Sequence, residues 1–552
     1  MTSSTRPVYE LLATDLRSLG VERVFGLMSD DTARLVTTID AIGVKFYGTR
    51  HENNAVAMAE GYAASSGRLG VAIIGRGPAA ANALHGATFA KRTGSRVLLV
   101  FGDAPIGAQG GGPDGKAYDL PTALKASGIR VFVPANGAQA RQALHDAADA
   151  TVSEGAVALL LPTDVQAQAV DPAATVPAPR TPQVARAAAP RESAIAAAAK
   201  VLEGSRRPLI IAGQGAWRAG AREAIVALAD HVGALLATTL KARSLFRGHP
   251  FNCGIVGSFS HAAGRRLVEQ ADAVVVFGAG LNPRTTSNGH ALPLGVPVIQ
   301  VDSDPAAIGR WYPADVRIMA DAGLAAQALL RVLPARGAAE MPLRTDEAQR
   351  LLASHDLASE FKPAHTPRTV DPRVLALALD RLLPADRNTV YDSGNFLQVV
   401  PYVQVQEPVC MKLTADFSSI GMGFGTAMGY AAGSPQRPTV LFIGDGSFLM
   451  TMGELETVAR EGLPLVIVLM NDCAYGAELH YLRMLDMPVA MSVFPDVDFA
   501  PVAEAFGFQA ATVRTIQDLE ALAPLLAKPQ GPIFLDCKIN AAIAAPFMSE
   551  KR

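Results

Sequence analysis

Short runs that are apolar at every position alternate along the chain with Ala-rich stretches of helical character. The runs include 71–75 (VAIIG), 96–103 (RVLLVFGD), 157–162 (VALLLP), 208–213 (PLIIAG), 273–278 (AVVVFG), 297–302 (PVIQVD), 439–446 (TVLFIGDG) and 464–472 (PLVIVLMND). A strand covered on one face alternates apolar and polar residues. A run without polar positions predicts a strand buried on both faces, hence a parallel sheet between layers of helices. Strand–helix alternation along the whole chain predicts βαβ units and doubly wound sheets. The expected fold class is α/β, with three doubly wound parallel-sheet domains.

Two tracts break the alternation and read as linkers. Residues 170–190 are rich in Pro and Ala, and 334–373 are polar, charged and Pro-containing. They divide the chain into an N-terminal domain (1–175), a central domain (188–335) and a C-terminal domain (365–552).

Composition narrows the class. Of 552 residues, 49 are Lys or Arg and 51 are Asp or Glu, a formal charge of −2. That lacks the basic excess of a nucleic-acid binder. With 49% hydrophobic and 18% charged residues the chain is too apolar to be disordered. Cys253, Cys410, Cys473 and Cys537 form no CxxC pair, which argues against a disulfide scaffold or a zinc ribbon. No apolar run approaches the roughly 18–20 residues of a membrane span, and the first residues lack a basic-then-apolar leader. A cytoplasmic enzyme with no membrane partner is the expectation.

The strongest chemical signal runs from Gly444 to Gly476. A buried strand leads into Gly444-Asp445-Gly446, whose glycines permit close backbone approach to a ligand. A helix is expected from about Met452 to Glu461, then a second strand ending at Asn471-Asp472. Adjacent parallel strands would place both acidic segments at one carboxyl edge, where α/β sheets bind ligands. Asp445, Asp472 and a backbone carbonyl near Ala474 offer three oxygens to a hard Mg²⁺ ion, with ligand phosphates completing its octahedron. GDG, 24 intervening residues and Asn-Asp resemble the diphosphate signature of thiamine-diphosphate (ThDP) enzymes. That family usually carries Asn where this chain has Asp472, so one extra negative charge stands beside the diphosphate.

Further segments carry the same resemblance. Glu52, in RHENNA, is similar to the family's activating glutamate. IGRGPAAANAL at 74–84, containing Asn82, resembles its Gly-Pro-Gly-Ala-Thr-Asn loop. SSIGMGFGTAMGYAAG at 418–433 resembles the segment that bends the cofactor, with Met422 as the apolar wedge. The resemblance implies that Glu52 drives loss of the cofactor's C2 proton through the aminopyrimidine. It also implies that Gly444, Asp445, Gly446, Ser447, Gly394, Asn395, Tyr475 and Gly476 surround the cofactor.

Asp30 and Glu478 align with catalytic carboxylates of pyruvate decarboxylases. Asp30 could instead cap a helix, and Glu478 could be a surface charge. The stretch 107–120 lacks the paired histidines of those decarboxylases, and no Trp follows the metal motif as in acetolactate synthases. Gly213 and Gly215 do not form a GxGxxG, so FAD or ADP in the central domain is unsupported and a structural role is preferred.

The resemblance implies a ThDP- and Mg²⁺-dependent lyase or carboligase, acetolactate-synthase-like, working through an enamine on the cofactor. Its substrates would be 2-oxo acids, aldehydes or acyloins. A simple 2-oxo acid decarboxylase and an FAD-containing oxidase are the alternatives. The assembly implied is a homodimer at minimum, with a homotetramer expected.

Overall fold

The computed structural model describes residues 5–106, 114–177, 188–337 and 340–549. The stretch 107–113, in the loop searched for paired histidines, and residues 178–187 of the 170–190 linker lie outside the described residues. Three six-stranded sheets organise the chain, each with parallel pairing throughout. Strands such as Gly70–Ile74, Pro208–Ala212 and Leu465–Asn471 are buried at every position. Their unbroken apolar runs have this cause: helices cover both faces.

The first sheet runs Lys45–Gly48, Arg23–Gly26, Gly70–Ile74, Val97–Asp103, Ala156–Pro162, Val131–Phe132. The third runs Met411–Leu413, Asn388–Tyr391, Thr439–Gly444, Leu465–Asn471, Ile533–Lys538, Gln509–Val513. Counted in chain order within each sheet, both read 2-1-3-4-6-5. The two outer domains therefore share one topology that no sequence repeat discloses. The central sheet reads 3-2-1-4-5-6, from Asn252–Ile255 to Val316–Met319.

In each outer domain the helix after the second strand has the same task. Glu52–Ser66 and Met422–Gly433 are buried nearly all round, and they pack against each other. Glycines allow the approach. A Cβ on Gly61 would lie 2.1 Å from the Thr426 carbonyl oxygen, and one on Gly429 would lie 2.1 Å from that of Met58. The first and third domains consequently share one core, which includes Tyr62, Met58, Phe424 and Tyr430. The central domain keeps its own. The tract read as the second linker is partly built into that domain. Its Leu343 and its helix Asp346–Ala353, through Ala348, join the central core.

Candidate active site

A cavity of about 1320 Å³ lies where the carboxyl edges of the third and central sheets meet. Residues 444–447, Asp472 and residues 474–478 line one side, and Gln214, Ala279, Asn282 and Asp302 line the other. Carboxyl edges of open parallel sheets are where such folds take ligands.

The neighbouring strands Thr439–Gly444 and Leu465–Asn471 pair Gly444 with Met470. Asp445 and Asp472 thus emerge side by side. The helix starts at Asp445 itself, running Asp445–Thr451, and a second helix Glu454–Glu461 follows, instead of one helix from Met452. Asp445 therefore occupies a first helical turn, where the dipole favours negative charge. It is only 3% exposed. Burial pushes its carboxyl up to about 7, against the Gly446 N–H that donates to it at 3.0 Å. Asp472 lines the cavity; burial and the Asp445 charge drive it well above the ordinary carboxylate range. Neither aspartate forms an ion pair among the described residues. Two crowded carboxylates without a cation are costly. An all-oxygen donor set of this kind fits a hard divalent ion. Ala474 stands in the same wall.

Small residues around the pair are required by what fills their space. A Cβ on Gly446 would lie 2.6 Å from the Tyr475 ring, and one on Gly476 2.4 Å from Oδ2 of Asp472. Tyr475 rests edge-on against Phe494. Ser447 donates its hydroxyl to Asp392 and accepts the Gly421 N–H at 2.7 Å. Asp392 also accepts from the Gly421 N–H at 2.8 Å and from the Thr414 hydroxyl at 2.9 Å. This fully buried aspartate joins the 444–447 segment to the 418–422 turn, and sequence reasoning missed it. Its signal was a lone Asp ending a buried strand. Gly394 and Asn395 line the cavity, but both ends of the Asn395 amide are spent on Ile543 and Ala545.

Met422, expected as the apolar wedge, and Ile420 face different surroundings. Met422 is buried with Ala57 and Phe89 between domains and does not line the cavity, whereas Ile420 does. Gly421, at φ +86°, turns the chain between them. That reversal sends residue 420 into the cavity and residue 422 into the core.

Glu52 begins its helix after His51, whose ring accepts the Asn53 N–H. Asn82 Nδ2 donates to Glu52 Oε2 at 3.1 Å. Neither Glu52 nor Asn82 lines the cavity of its own chain. Asp30 is exposed and accepts from Lys116 Nζ at 2.5 Å, which holds its carboxyl below the usual range. Thr32, not Asp30, occupies the cap of the next helix. Glu478 lines the cavity. Asp30 and Glu478 are therefore not joined in one site within the chain.

In the central domain, a Cβ on Gly213 would lie 2.3 Å from the Gly278 carbonyl, and one on Gly278 2.3 Å from the Ala216 nitrogen. These glycines serve backbone packing across the break in strand order.

Three parallel α/β domains, with paired carboxylates at the strand ends of the last one, define the class: an enzyme that takes an anionic cofactor at a sheet edge. The chain belongs to the thiamine pyrophosphate enzyme family. Family models for its N-terminal TPP binding domain, central domain and C-terminal TPP binding domain match residues 6–139, 195–329 and 392–537. The chain is 30% identical to a probable 2-ketoarginine decarboxylase of Pseudomonas aeruginosa, over 92% of this chain and 89% of the relative. It is 26% identical to a sulfoacetaldehyde acetyltransferase of Castellaniella defragrans, over 91% and 87%. It is 26% identical to a probable acetolactate synthase large subunit of Methanocaldococcus jannaschii, over 98% and 93%. A solved structure from Mycobacterium smegmatis, described as thiamin diphosphate-dependent, shares the fold. Its TM-score is 0.77 at 23% identity, covering 97% of this chain and 99% of that one. No helix among the described residues is long and apolar enough to cross a membrane.

Proposed function

We propose that this chain is a ThDP- and Mg²⁺-dependent enzyme that makes or breaks a C–C bond beside a carbonyl, with 2-oxo acids or acyloins as substrates. The observation that carries this reading is the Asp445–Asp472 pair, two carboxylates crowded together at the cavity wall with no ion-pair partner among the described residues. The cofactor, when bound, supplies a carbon nucleophile for addition to a carbonyl. Asp445 and Asp472 would hold the metal, with the Ala474 carbonyl beside them. Ile420, rather than Met422, would shape the apolar floor. Glu52, fixed by Asn82, would share a proton between its carboxylate and the cofactor's aminopyrimidine. Glu478, at the cavity wall, would exchange a proton with substrate.

Glu52 and Asn82 stand outside the cavity of their own chain, so a second copy is needed to bring them to it. Exposed apolar side chains, among them Met450, Tyr475, Tyr481, Met484 and Met487, suit that role. A contiguous exposed apolar surface is the mark of an interface. A homodimer is the smallest assembly this reading permits. In it, Asp30 of one chain would approach Glu478 of the other.

The cavity also reaches the central sheet edge, where Gln214, Asn282 and Asp302 are polar lining. That extent favours a second reading, in which an adenine nucleotide such as FAD or ADP occupies the central half. Flavin absorbance of the purified protein tests it; a colourless preparation removes the oxidase.

For the main reading, Glu52→Gln should abolish C2-proton exchange of bound ThDP while Mg–ThDP binding persists. Unchanged exchange rejects it. A screen of 2-oxo acids and acyloins, reading both CO₂ and carboligation products, identifies the substrate.

A further inference from the structure

The corner that presents Glu52 is held from the other domain. Glu454 opens the helix Glu454–Glu461, eight residues after the metal-loop Gly446. Its side chain is 1% exposed and reaches back to the N-terminal domain. Oε1 accepts the Arg50 backbone N–H at 3.0 Å and Asn54 Nδ2 at 2.9 Å. Oε2 accepts the Thr457 hydroxyl at 2.6 Å. These contacts bracket Glu52: one is two residues before it, the other two residues after. The carboxylate also stands at the start of helix Glu52–Ser66, where negative charge is favoured.

The rest of the same helix closes on the same corner. Arg50 Nε donates to Glu456 at 2.6 Å, Arg460 donates to the Gly48 carbonyl, and Lys45 pairs with Glu461 at 3.0 Å. Those groups are more exposed, and exposed pairs hold little in place. The Glu454 bonds are different because they are buried, and removing the carboxylate leaves three donors unpaired.

We propose that Glu454 is a positioning residue for Glu52, clamping the Arg50–Asn54 corner so that the Glu52 carboxylate keeps one orientation. The proposal rests on the reading of Glu52 as the activating carboxylate. It adds that the segment carrying Asp445 also holds the Glu52 corner of the same chain. Since Glu52 does not line its own chain's cavity, one polypeptide segment then serves two sites in the assembled enzyme: the metal loop in one and the Glu52 corner in the other.

The test uses the full-length protein with three variants. In cofactor-free protein, Glu454→Ala should speed deuterium exchange of the 50–54 backbone amides roughly tenfold, because local opening becomes easier. With Mg–ThDP bound, its C2-proton exchange should slow about tenfold to a hundredfold, the scale of a misplaced group. Cofactor affinity should change less than about threefold, because the metal loop is intact. Glu454→Gln keeps an acceptor oxygen and should restore most of both rates. Glu456→Gln, on the exposed pair, should leave both unchanged. If Glu454→Ala does not fold, Glu454→Asp is read instead, its carboxylate one methylene too short for Arg50. Wild-type amide and C2 exchange in Glu454→Ala or Glu454→Asp overturns the proposal. The amide arm stands apart from the chemistry: full C2 exchange in Glu52→Gln would reject the Glu52 role, while unchanged 50–54 amides would reject the clamp alone.

Discussion

Asp445 and Asp472 stand at the ends of neighbouring strands, and the charge of Asp445 adds to burial in driving the Asp472 carboxyl well above its ordinary range. Each is therefore a proton store in the metal-free protein. The unfolded chain would release those protons near pH 4, whereas the folded Asp445 releases its proton at about 7. Between those values the native state binds more protons, so metal-free stability falls as pH rises. A cation must displace the protons, so Mg²⁺ affinity should climb roughly tenfold per pH unit for each proton released. Titration calorimetry at pH 6, 7 and 8, with melting curves in chelator, checks both signs. Affinity that is flat across this range would show that the pair is already ionised without metal.

Ile420 and Met422 are two residues apart and face different surroundings, so their truncations should separate. Ile420→Ala removes cavity lining, and ThDP affinity should fall about tenfold or more, for ~1.5–3 kcal/mol of lost apolar contact. Met422→Ala opens a hole in the interdomain packing and should cost ~2–5 kcal/mol of stability. Paired cofactor titrations and denaturant melts decide; a larger affinity loss from Met422→Ala would reverse the assignment.

What was legible in the sequence follows from what each feature depends on. The side-by-side placement of Asp445 and Asp472 was readable because parallel pairing alone puts two strand ends together. The three sheets were readable because burial on both faces leaves no polar positions. Which of Ile420 and Met422 lines the cavity was not readable, because both are apolar and only the positive φ of Gly421 sets their directions. Asp392 and Glu454 were invisible as functional groups. An acidic residue after a strand or in a helix looks like any surface charge until long-range packing buries it beside backbone donors. The common topology of the outer domains was hidden for a related reason: topology survives on apolar pattern, which many sequences satisfy.

Lys116 and Asp30 make a second test of site chemistry. Lys116 holds the Asp30 carboxyl below its ordinary range through a direct hydrogen bond. Lys116→Met should let that carboxyl rise toward its usual value. If Asp30 exchanges a proton with substrate, the acid limb of kcat/KM moves to higher pH in the variant. Melting temperature should hardly change, because an exposed pair is screened by solvent and salt. An acid limb identical to wild type would leave Asp30 without a proton-transfer role.

Gly429 and Gly204 are both helical glycines with opposite expected responses to the same change. Alanine gains up to ~1 kcal/mol of helix propensity over glycine. At Gly204 a Cβ would meet nothing within 4 Å, so Gly204→Ala should be neutral or stabilising. At Gly429 it would lie 2.1 Å from the Met58 carbonyl oxygen and 2.7 Å from the Tyr62 nitrogen, both rigid backbone atoms. Helices Glu52–Ser66 and Met422–Gly433 would have to part, at a net cost of ~2 kcal/mol or more. The consequence should reach the cofactor. Gly421, just before the second helix, donates to Asp392 and Ser447, and the first helix begins at Glu52. Gly429→Ala should therefore lower both melting temperature and ThDP affinity, while Gly204→Ala lowers neither. A Gly429→Ala protein with wild-type affinity would show that the helix contact supports folding but not the site.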